Sequence, residues 1–359
     1  MVAQIAENVG REILLQGKNL TTAKSGRLVL SGVDVNVESG SRVAVVGPSG
    51  AGKTTLLRIL AGLESPDAGG VDAKRVPTGQ ARVGMVFQDL ALFAHMKVWR
   101  NVAFSLLVKG ASRKSARASA LEVLDQAGLG HCVDRFPHSL SGGERQRVAL
   151  LRTLVSEPNI VLLDEPFANL DPYLVDHFTQ WLDEQQRKTG VAIVMVTHDI
   201  RYAMAWAEWI VILNCGRVLQ AGAPADVYTQ PADVFSARFT GPCNVFEAMR
   251  NDDGSRRVTI PTLGVDVNVE GDNGGPGNSC HVIIRPHDLK IHQYGTTSSR
   301  LQGKVETVSF DSGVTTYTVL LSSTGTRILG VHADPNIPVY ARMTAIDVGW
   351  PPTRAIAVP

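Results

Sequence analysis

Residues 42–63 read RVAVVGPSGAGKTTLLRILAGL, and this stretch decides the fold. RVAVV is a continuous apolar run, which is typical of a strand buried on both faces. TLLRILAGL has apolar residues at helical spacing. Between them, GPSGAGKTT matches the pattern G-x-x-x-x-G-K-[ST]. Strand, glycine-rich loop and helix in this order form the context that a phosphate-binding loop requires.

The chemistry of this loop follows from its residue types. The backbone amides of 50–53 can point at one anion, and Gly47 and Gly52 allow the tight wrap. Lys53 would reach the β- and γ-phosphates, and the Thr54 hydroxyl would ligate Mg²⁺. The predicted nucleotide-binding residues of the loop are Gly47, Pro48, Ser49, Gly50, Ala51, Gly52, Lys53, Thr54 and Thr55.

Length and composition limit the remaining possibilities. A chain of 359 residues predicts one large and one smaller domain. With 35 basic and 34 acidic residues there is no global basic field, so we expect no nucleic-acid partner. The four cysteines form no CxxC pair, so their spacing indicates neither a zinc site nor a disulfide framework. No apolar stretch approaches the ~18 residues of a membrane span, so any work at a membrane is expected to go through partners.

The order of patterns along the chain predicts two domains. Apolar strands at 83–88, 159–166 and 191–198 favour a mainly parallel α/β core, and residues 97–155 look mostly helical. After about Phe239, short β-rich runs separated by Gly, Asn, Asp, Pro and Ser predict a small all-β barrel or sandwich. We therefore predict domains at 12–243 and 244–359.

Polar side chains follow three of the predicted strands. NIVLLDEP places Asp164 and Glu165 at a carboxyl end, where ligands bind in open α/β sheets. Asp164 would hold Mg²⁺ through water, and Glu165 would take a proton from an attacking water or position it. His198 and Gln88 end two further strands. Taken singly, His198 is better explained by a polar core or surface role, and Gln88 by an ordinary strand-end amide.

A second glycine-containing helix start lies at 140–147, LSGGERQR. Ser141, Gly142 and Gly143 open a helix whose positive end favours phosphate. The competing interpretation is a capping box, in which Ser141 and Glu144 bond to each other's backbone amides. By itself the sequence favours the capping box.

The set of motifs resembles a known family. GPSGAGKTT, VFQ, LSGGERQR, LLDEP, NLD and VTH occur in this order between residues 47 and 198, as in the ATP-binding subunits of ABC transporters. The chain looks like the import branch with a C-terminal β domain. The resemblance implies an α/β P-loop NTPase (ABC ATPase) domain with a helical subdomain, followed by a small all-β, OB-like (TOBE) domain. It implies a translocase that couples ATP hydrolysis to solute uptake.

The same resemblance implies partners and residue roles. Two subunits would form a homodimer in which LSGG of one closes over the ATP held by the other, and Leu170 and Asp171 would cross that interface. The catalytic residues implied are Glu165, His198, Lys53 and Gln88; the Mg²⁺ ligands implied are Thr54, Gln88 and Asp164. A separate membrane permease would contact the Gln88 loop and residues 92–104, with a periplasmic or lipoprotein substrate-binding protein as an indirect partner. The subunit would sit peripherally at the cytoplasmic face of the inner membrane.

The expected solute rests on weaker likeness. HVIIRPHDLKI (281–291), NVAFSLLVK (101–109) and FTGPCNVFEA (239–248) resemble sulfate and thiosulfate importers. Physically, RPHD is only a polar turn between two strands. Molybdate, ferric iron, a polyamine or a sugar remain alternatives within transport. A soluble ABC ATPase without a permease, or a regulatory module with an incidental ATPase, are alternatives outside it.

One departure from the family pattern concerns the base of the nucleotide. The family usually stacks an aromatic ring on adenine at a position where this chain has Lys24 or Ser25. Stacking of a base on an aromatic side chain is worth about 1–3 kcal/mol in single-strand binders. The departure therefore predicts weaker ATP binding or weaker base selectivity.

Overall fold

The computed structural model describes residues 11–76, 79–168, 170–251, 256–269, 279–293, 301–311, 314–332, 339–350 and 354–359. Its internal contacts divide the chain into two compact units, Met1–Pro224 and Ala225–Pro359. The strands of the first unit are β1 (Ile13–Lys24), β2 (Arg27–Glu38), β3 (Arg42–Val46), β4 (Ala68–Ala73), β5 (Arg75–Val76), β6 (Gly79–Gln80), β7 (Val83–Val86), β8 (Ile160–Asp164), β9 (Ala192–Thr197), β10 (Trp209–Asn214) and β11 (Arg217–Gly222). Its helices are α1 (Lys53–Leu60), α2 (Val98–Val108), α3 (Arg113–Gln126), α4 (Gly142–Leu154), α5 (Pro172–Thr189) and α6 (Ile200–Trp206).

A six-stranded sheet forms the centre of the first unit, in the order β11-β10-β3-β9-β8-β7. All its neighbouring pairs are parallel except β10 and β11. Every residue of β8 and β9 is buried, as expected for strands covered on both faces. The predicted parallel α/β core is confirmed, and the carboxyl ends of β3, β7, β8 and β9 share one edge.

An antiparallel sheet, β2-β1-β4, packs in the same hydrophobic core as the central sheet. Leu20 and Leu30 of this sheet are fully buried in that core with Leu56 and Leu57 of α1. The apolar face of α1 is therefore held between two sheets. This packing fixes the position of the loop that precedes the helix.

Helices α2, α3 and α4 share a second hydrophobic core, which confirms that residues 97–155 are mostly helical. Val102, Leu124 and Val148 are fully buried there. Two short 3₁₀ turns, Gly130–Cys132 and Pro137–Ser139, connect α3 to α4. Among the described residues, no helix is both long and apolar enough to cross a membrane.

The second unit begins with two helices and continues as two five-stranded sheets. The helices are α7 (Pro224–Thr229) and α8 (Val234–Thr240). The strands are β12 (Asn244–Arg250), β13 (Arg257–Ile260), β14 (Val265–Asn268), β15 (Ser279–Ile284), β16 (Lys290–Gln293), β17 (Leu301–Asp311), β18 (Val314–Leu321), β19 (Arg327–His332), β20 (Ala345–Gly349) and β21 (Ala355–Val358). The sheet orders are β14-β13-β12-β15-β21 and β16-β20-β17-β18-β19, with a shared apolar core. The predicted C-terminal all-β domain is confirmed.

Arg285 ties the two helices of this unit to its β-sheet. The guanidinium is buried and lies 4.0 Å over the Tyr228 ring. It donates hydrogen bonds to the carbonyl oxygens of Tyr228 and Ala237, each at 2.8 Å. These contacts explain why α7 and α8 cluster with the second unit, although the predicted boundary lies after them, at 243/244.

The same contacts revise the physical reading of RPHD as only a polar turn. Pro286–Asp288 do form a 3₁₀ turn, but Arg285 is a buried packing residue that bonds helix carbonyls. The motif therefore has a structural explanation that involves no transported solute.

Candidate functional site

The phosphate-binding loop begins where β3 ends, and two of its glycines are sterically required. A Cβ on Gly47 would collide with the carbonyl oxygen of Leu213. Gly52 has φ +102°, and a Cβ there would lie 2.6 Å from the Val29 carbonyl oxygen. At Gly52, only glycine fits both the available space and the left-handed backbone. At Gly47, the lack of space excludes any side chain. The sequence analysis expected these glycines to allow a tight wrap of the loop. The structure shows why: the loop backbone packs closely against β2 and β10.

Lys53 lies inside the loop rather than in solvent. Its side chain is 7% exposed, and Nζ donates to the carbonyl oxygens of Gly47 at 2.8 Å and Pro48 at 3.1 Å. Burial lowers the pKa of the ammonium, while Glu165 and Asp164 act in the opposite direction. The loop therefore carries a desolvated positive charge at the place where an anion would bind.

Thr54 and Asp164 meet across 110 positions of sequence. Thr54 Oγ1 donates to Asp164 Oδ1 at 3.0 Å. Asp164 is buried, and its burial raises the pKa of the carboxyl. A hydroxyl and a carboxylate side by side are the hard oxygen ligands that Mg²⁺ prefers, so the donors present fit this ion.

Glu165 and His198 form a second pair at the same sheet edge. Glu165 has φ +48°, and its amide donates to the Val196 carbonyl oxygen at 2.9 Å. Glu165 Oε2 lies 2.9 Å from His198 Nδ1, and Oε1 lies 4.0 Å from Lys53 Nζ. The carboxylate thus lies between an imidazole and the ammonium of the phosphate-binding loop.

Strand order explains this convergence. The loop follows β3, Glu165 follows β8 and His198 follows β9, and these three strands are adjacent and parallel. Gln88 follows β7, the neighbour of β8, and its side chain is exposed. The structure therefore places Gln88 at the same edge, beyond the strand end.

Ser141 and Glu144 form the capping box expected as the competing interpretation of LSGG. The Ser141 amide donates to Glu144 Oε2 at 2.7 Å, and the Glu144 amide donates to Ser141 Oγ at 3.3 Å. The hydrogen bond from the Ser141 amide is the largest of the effects that lower the pKa of Glu144 to about 2. Because Ser141 is exposed, capping does not prevent this helix start from meeting a ligand or a partner.

Similarity to known proteins shows the family of this chain. A family model described as ABC transporter matches residues 30–168. A spermidine/putrescine import ATP-binding protein of Mesoplasma florum is 34% identical over 349 residues, covering 94% of this chain and 98% of that protein. The chain belongs to the ATP-binding subunits of ABC importers.

Two further likenesses bear on this importer subunit. A sulfate/thiosulfate import ATP-binding protein of Synechococcus elongatus is 45% identical over 264 residues, covering 72% of each chain. The solved ATP-binding cassette MJ0796, dimeric and bound to ADP and Pi, is 31% identical with a TM-score of 0.53. That likeness covers 59% of this chain and 99% of the cassette. Family membership means that the subunit binds and hydrolyses ATP.

Gln146 is a residue of the importer subunit that the sequence analysis missed. It lies one turn into α4, is buried, and its Nε2 donates to the carbonyl oxygen of Pro166. The bond connects the helix that begins with LSGG to the residue after Glu165. A polar side chain among the apolar positions of α4 was the available signal.

At the position where the family usually has an adenine-stacking ring, this subunit has an ion pair. Lys24 Nζ lies 2.7 Å from Glu64, whose carboxylate also bonds Arg58. The bond from Lys24 is the largest of the effects that lower the pKa of Glu64. A lysine at the end of β1 offers no π-face to a base.

We expect Lys24→Tyr to tighten ATP binding. A stacked ring is worth about 1–3 kcal/mol, or roughly 5- to 150-fold in Kd. The measurement is the Kd of a fluorescent ATP analogue, with GTP as competitor to report base selectivity. Glu64→Gln is the control, because it breaks the ion pair without adding a ring. Equal affinity in Lys24→Tyr and wild type would show that this position does not contact the base.

Proposed function

We propose that this subunit hydrolyses ATP at the edge formed by β3, β8 and β9, with Mg²⁺ as cofactor, and thereby powers solute import through a separate permease. The observation that carries the proposal is the convergence of Lys53, the Thr54–Asp164 pair and the Glu165–His198 pair. When ATP binds, Lys53 Nζ gives up its hydrogen bonds to the carbonyl oxygens of the loop and contacts the β- and γ-phosphates instead. The amides of the loop hold the same phosphates.

Glu165 and His198 act on the attacking water. His198 uses Nδ1 for Glu165, which leaves Nε2 for the water or a γ-phosphate oxygen. Glu165 accepts the proton of the water or fixes its direction of attack. Thr54, Gln88 and Asp164 are the proposed Mg²⁺ ligands, and a bound ion would neutralise charge on the β- and γ-phosphates.

We further propose that ATP binding closes a symmetric homodimer, in which Ser141, Gly142 and Gly143 of one subunit cover the ATP of its partner. Dimerisation of the similar cassette MJ0796 supports this. A two-fold dimer gives each subunit the same two roles, which explains why one chain carries two phosphate-binding motifs. Leu170 lies beside this helix start in its own subunit, since a Cβ on Gly142 would lie 3.3 Å from Leu170. Leu170 and Asp171 are proposed to cross the interface to the partner.

The proposed dimer acts on a permease through the Gln88 loop and residues 92–104. The subunit lies at the cytoplasmic face of the inner membrane, bound to the permease, with the substrate-binding protein reached indirectly. Hydrolysis then reopens the dimer, so that the γ-phosphate switches it between two states. Nucleic acid is not a proposed partner.

Ser141→Arg is expected to abolish ATP-dependent dimerisation while the monomer still binds ATP, because a long cation would fill the space needed for the partner's nucleotide. Loss of the serine cap also costs about 1 kcal/mol of stability, too little to unfold the unit. Light scattering on the slow-hydrolysing Glu165→Gln background measures the dimer. Ser115→Arg adds the same side chain at an exposed site of α3 and should dimerise normally. An ATP-dependent dimer of the Ser141→Arg protein would contradict the proposed interface.

For the solute, we propose sulfate or thiosulfate. The support is the 45% identity to the sulfate/thiosulfate protein of Synechococcus elongatus, together with the sequence likenesses in 101–109 and 239–248. A polyamine is the second candidate, because the spermidine/putrescine protein matches nearly the whole chain.

Uptake of radiolabelled sulfate and spermidine, with and without the gene, distinguishes these solutes. We expect sulfate uptake to collapse in the deletion and to return with the wild-type gene but not with Glu165→Gln. Loss of spermidine uptake alone would show that the solute is a polyamine, and the proposed role as an importer subunit would stand. Unchanged uptake of both solutes would contradict both candidates, and uptake of molybdate, ferric iron and sugars would be measured next.

A further inference from the structure

Three potential metal ligands converge between α3 and α4, outside the nucleotide site. His131 Nε2 lies 3.0 Å from Glu144 Oε1, and Cys132 Sγ lies 3.3 Å from the same oxygen. All three atoms lie within 4.8 Å of one another. No other part of the described structure brings three such side chains together at this spacing.

We propose that His131, Cys132 and Glu144 form a binding site for a divalent transition-metal ion, with Zn²⁺ as the best match. Imidazole nitrogen, thiolate sulfur and carboxylate oxygen are the ligand types of protein zinc sites. With metal–ligand bonds of about 2.0–2.3 Å, tetrahedral ligands lie roughly 3.3–3.8 Å apart. The two separations to Glu144 Oε1 need to grow by only a few tenths of an ångström, and the His131–Cys132 separation, which is within 4.8 Å, must adopt the same range to admit the ion.

The site is held in place by its surroundings. Cys132 is fully buried in the core of the helical region, and Glu144 Oε2 is fixed by the Ser141 amide. Oε1 is therefore the carboxylate oxygen turned to both other ligands. Because backbone donors that hold a ligating carboxylate strengthen metal sites, this arrangement favours binding.

Access and charge are also suitable. The side chains of His131 and Glu144 are 55% and 16% exposed, so solvent reaches two of the three ligands, and a water would complete four-coordination. On binding, the Cys132 S–H bond breaks, a sulfur–metal bond forms and the proton leaves to solvent. Thiolate and carboxylate then balance the two positive charges of the ion. Burial raises the pKa of the Cys132 thiol to about 11, and Arg135 and Arg147 oppose a cation, so we expect binding weaker than in a site free of these effects.

The site adjoins the helix start of LSGG, because Glu144 belongs to both the metal cluster and the capping box. A bound ion would fix this carboxylate and with it the Ser141 amide. Metal binding is measurable without ATP, so its test does not depend on the proposed transport function.

Cobalt titration of the metal-free, nucleotide-free full chain tests the site. We expect a thiolate-to-cobalt charge-transfer band that saturates at one equivalent and is displaced by Zn²⁺. The band should vanish in Cys132→Ser. In His131→Ala the metal affinity should fall by at least ~10-fold, the usual scale for a lost metal-site partner.

Two matched controls should leave the band unchanged. Cys215→Ser removes an exposed cysteine elsewhere, and His138→Ala removes an exposed histidine of the neighbouring turn. The exposed His131 can be replaced without disturbing the core, so His131→Ala remains informative even if Cys132→Ser unfolds. Absence of the band in wild type, or a band of equal affinity in His131→Ala, would overturn the proposal and leave the cluster as hydrogen bonds only.

Discussion

Glu165→Gln is expected to lower the rate of ATP hydrolysis by about two to four orders of magnitude, the range typical of a lost general base. The amide keeps the shape of the side chain but cannot take a proton from water. In the structure the carboxylate lies 2.9 Å from His198 Nδ1 and 4.0 Å from Lys53 Nζ, so it is positioned between the loop and the histidine. ATP binding does not require the charge of Glu165, so we expect the Kd for ATP to equal that of the wild type.

Phosphate release under saturating Mg²⁺–ATP measures the effect, and light scattering should show an ATP-stabilised dimer of the stalled protein. Glu157→Gln is the matched control, since Glu157 precedes the amino end of β8 whereas Glu165 follows its carboxyl end. We expect its turnover to equal that of wild type. Normal turnover by Glu165→Gln would assign water activation to another group, with His198 the first to test.

Lys53→Ala is expected to lose ATP affinity as well as turnover. The ammonium is buried; before an anion arrives it donates to carbonyl oxygens of its own loop, and Glu165 Oε1 lies 4.0 Å away. Truncating a buried charged partner costs about 2–5 kcal/mol of binding, or roughly 30-fold to several thousand-fold in Kd. The loss should be larger for ATP than for ADP, because Lys53 is proposed to reach the γ-phosphate.

Equilibrium binding of ATP and ADP separates this effect from that of Glu165→Gln. Lys188→Ala, at an exposed lysine in the last turn of α5, is the control for loss of one positive charge. Thermal unfolding should show that Lys53→Ala remains folded, since the substitution removes a desolvated charge. Unchanged ATP affinity would mean that the loop amides alone hold the phosphates.

Patterns of neighbouring residues along the chain were enough to predict the main secondary-structure elements, the two kinds of domain and the family. RVAVV, GPSGAGKTT and the following helix are contiguous, so their spacing determines strand, loop and helix without reference to distant residues. The buried runs at 160–164 and 192–197 likewise identified parallel strands, and the change of texture after about Phe239 identified an all-β part. The order of the motifs carried the family resemblance, which the comparisons confirm.

Contacts between distant residues were decided by the tertiary structure. Thr54 meets Asp164 because α1 and β8 pack in one core, and Glu165 meets His198 because β8 and β9 are neighbours. The buried Arg285 and the metal-type cluster around Cys132 were also hidden, since the cysteine spacing showed no metal pattern. A linear sequence fixes which side chains exist and how nearby ones alternate. Strand order and helix packing decide which distant side chains come within bonding distance, and the chemistry of the site depends on those distances.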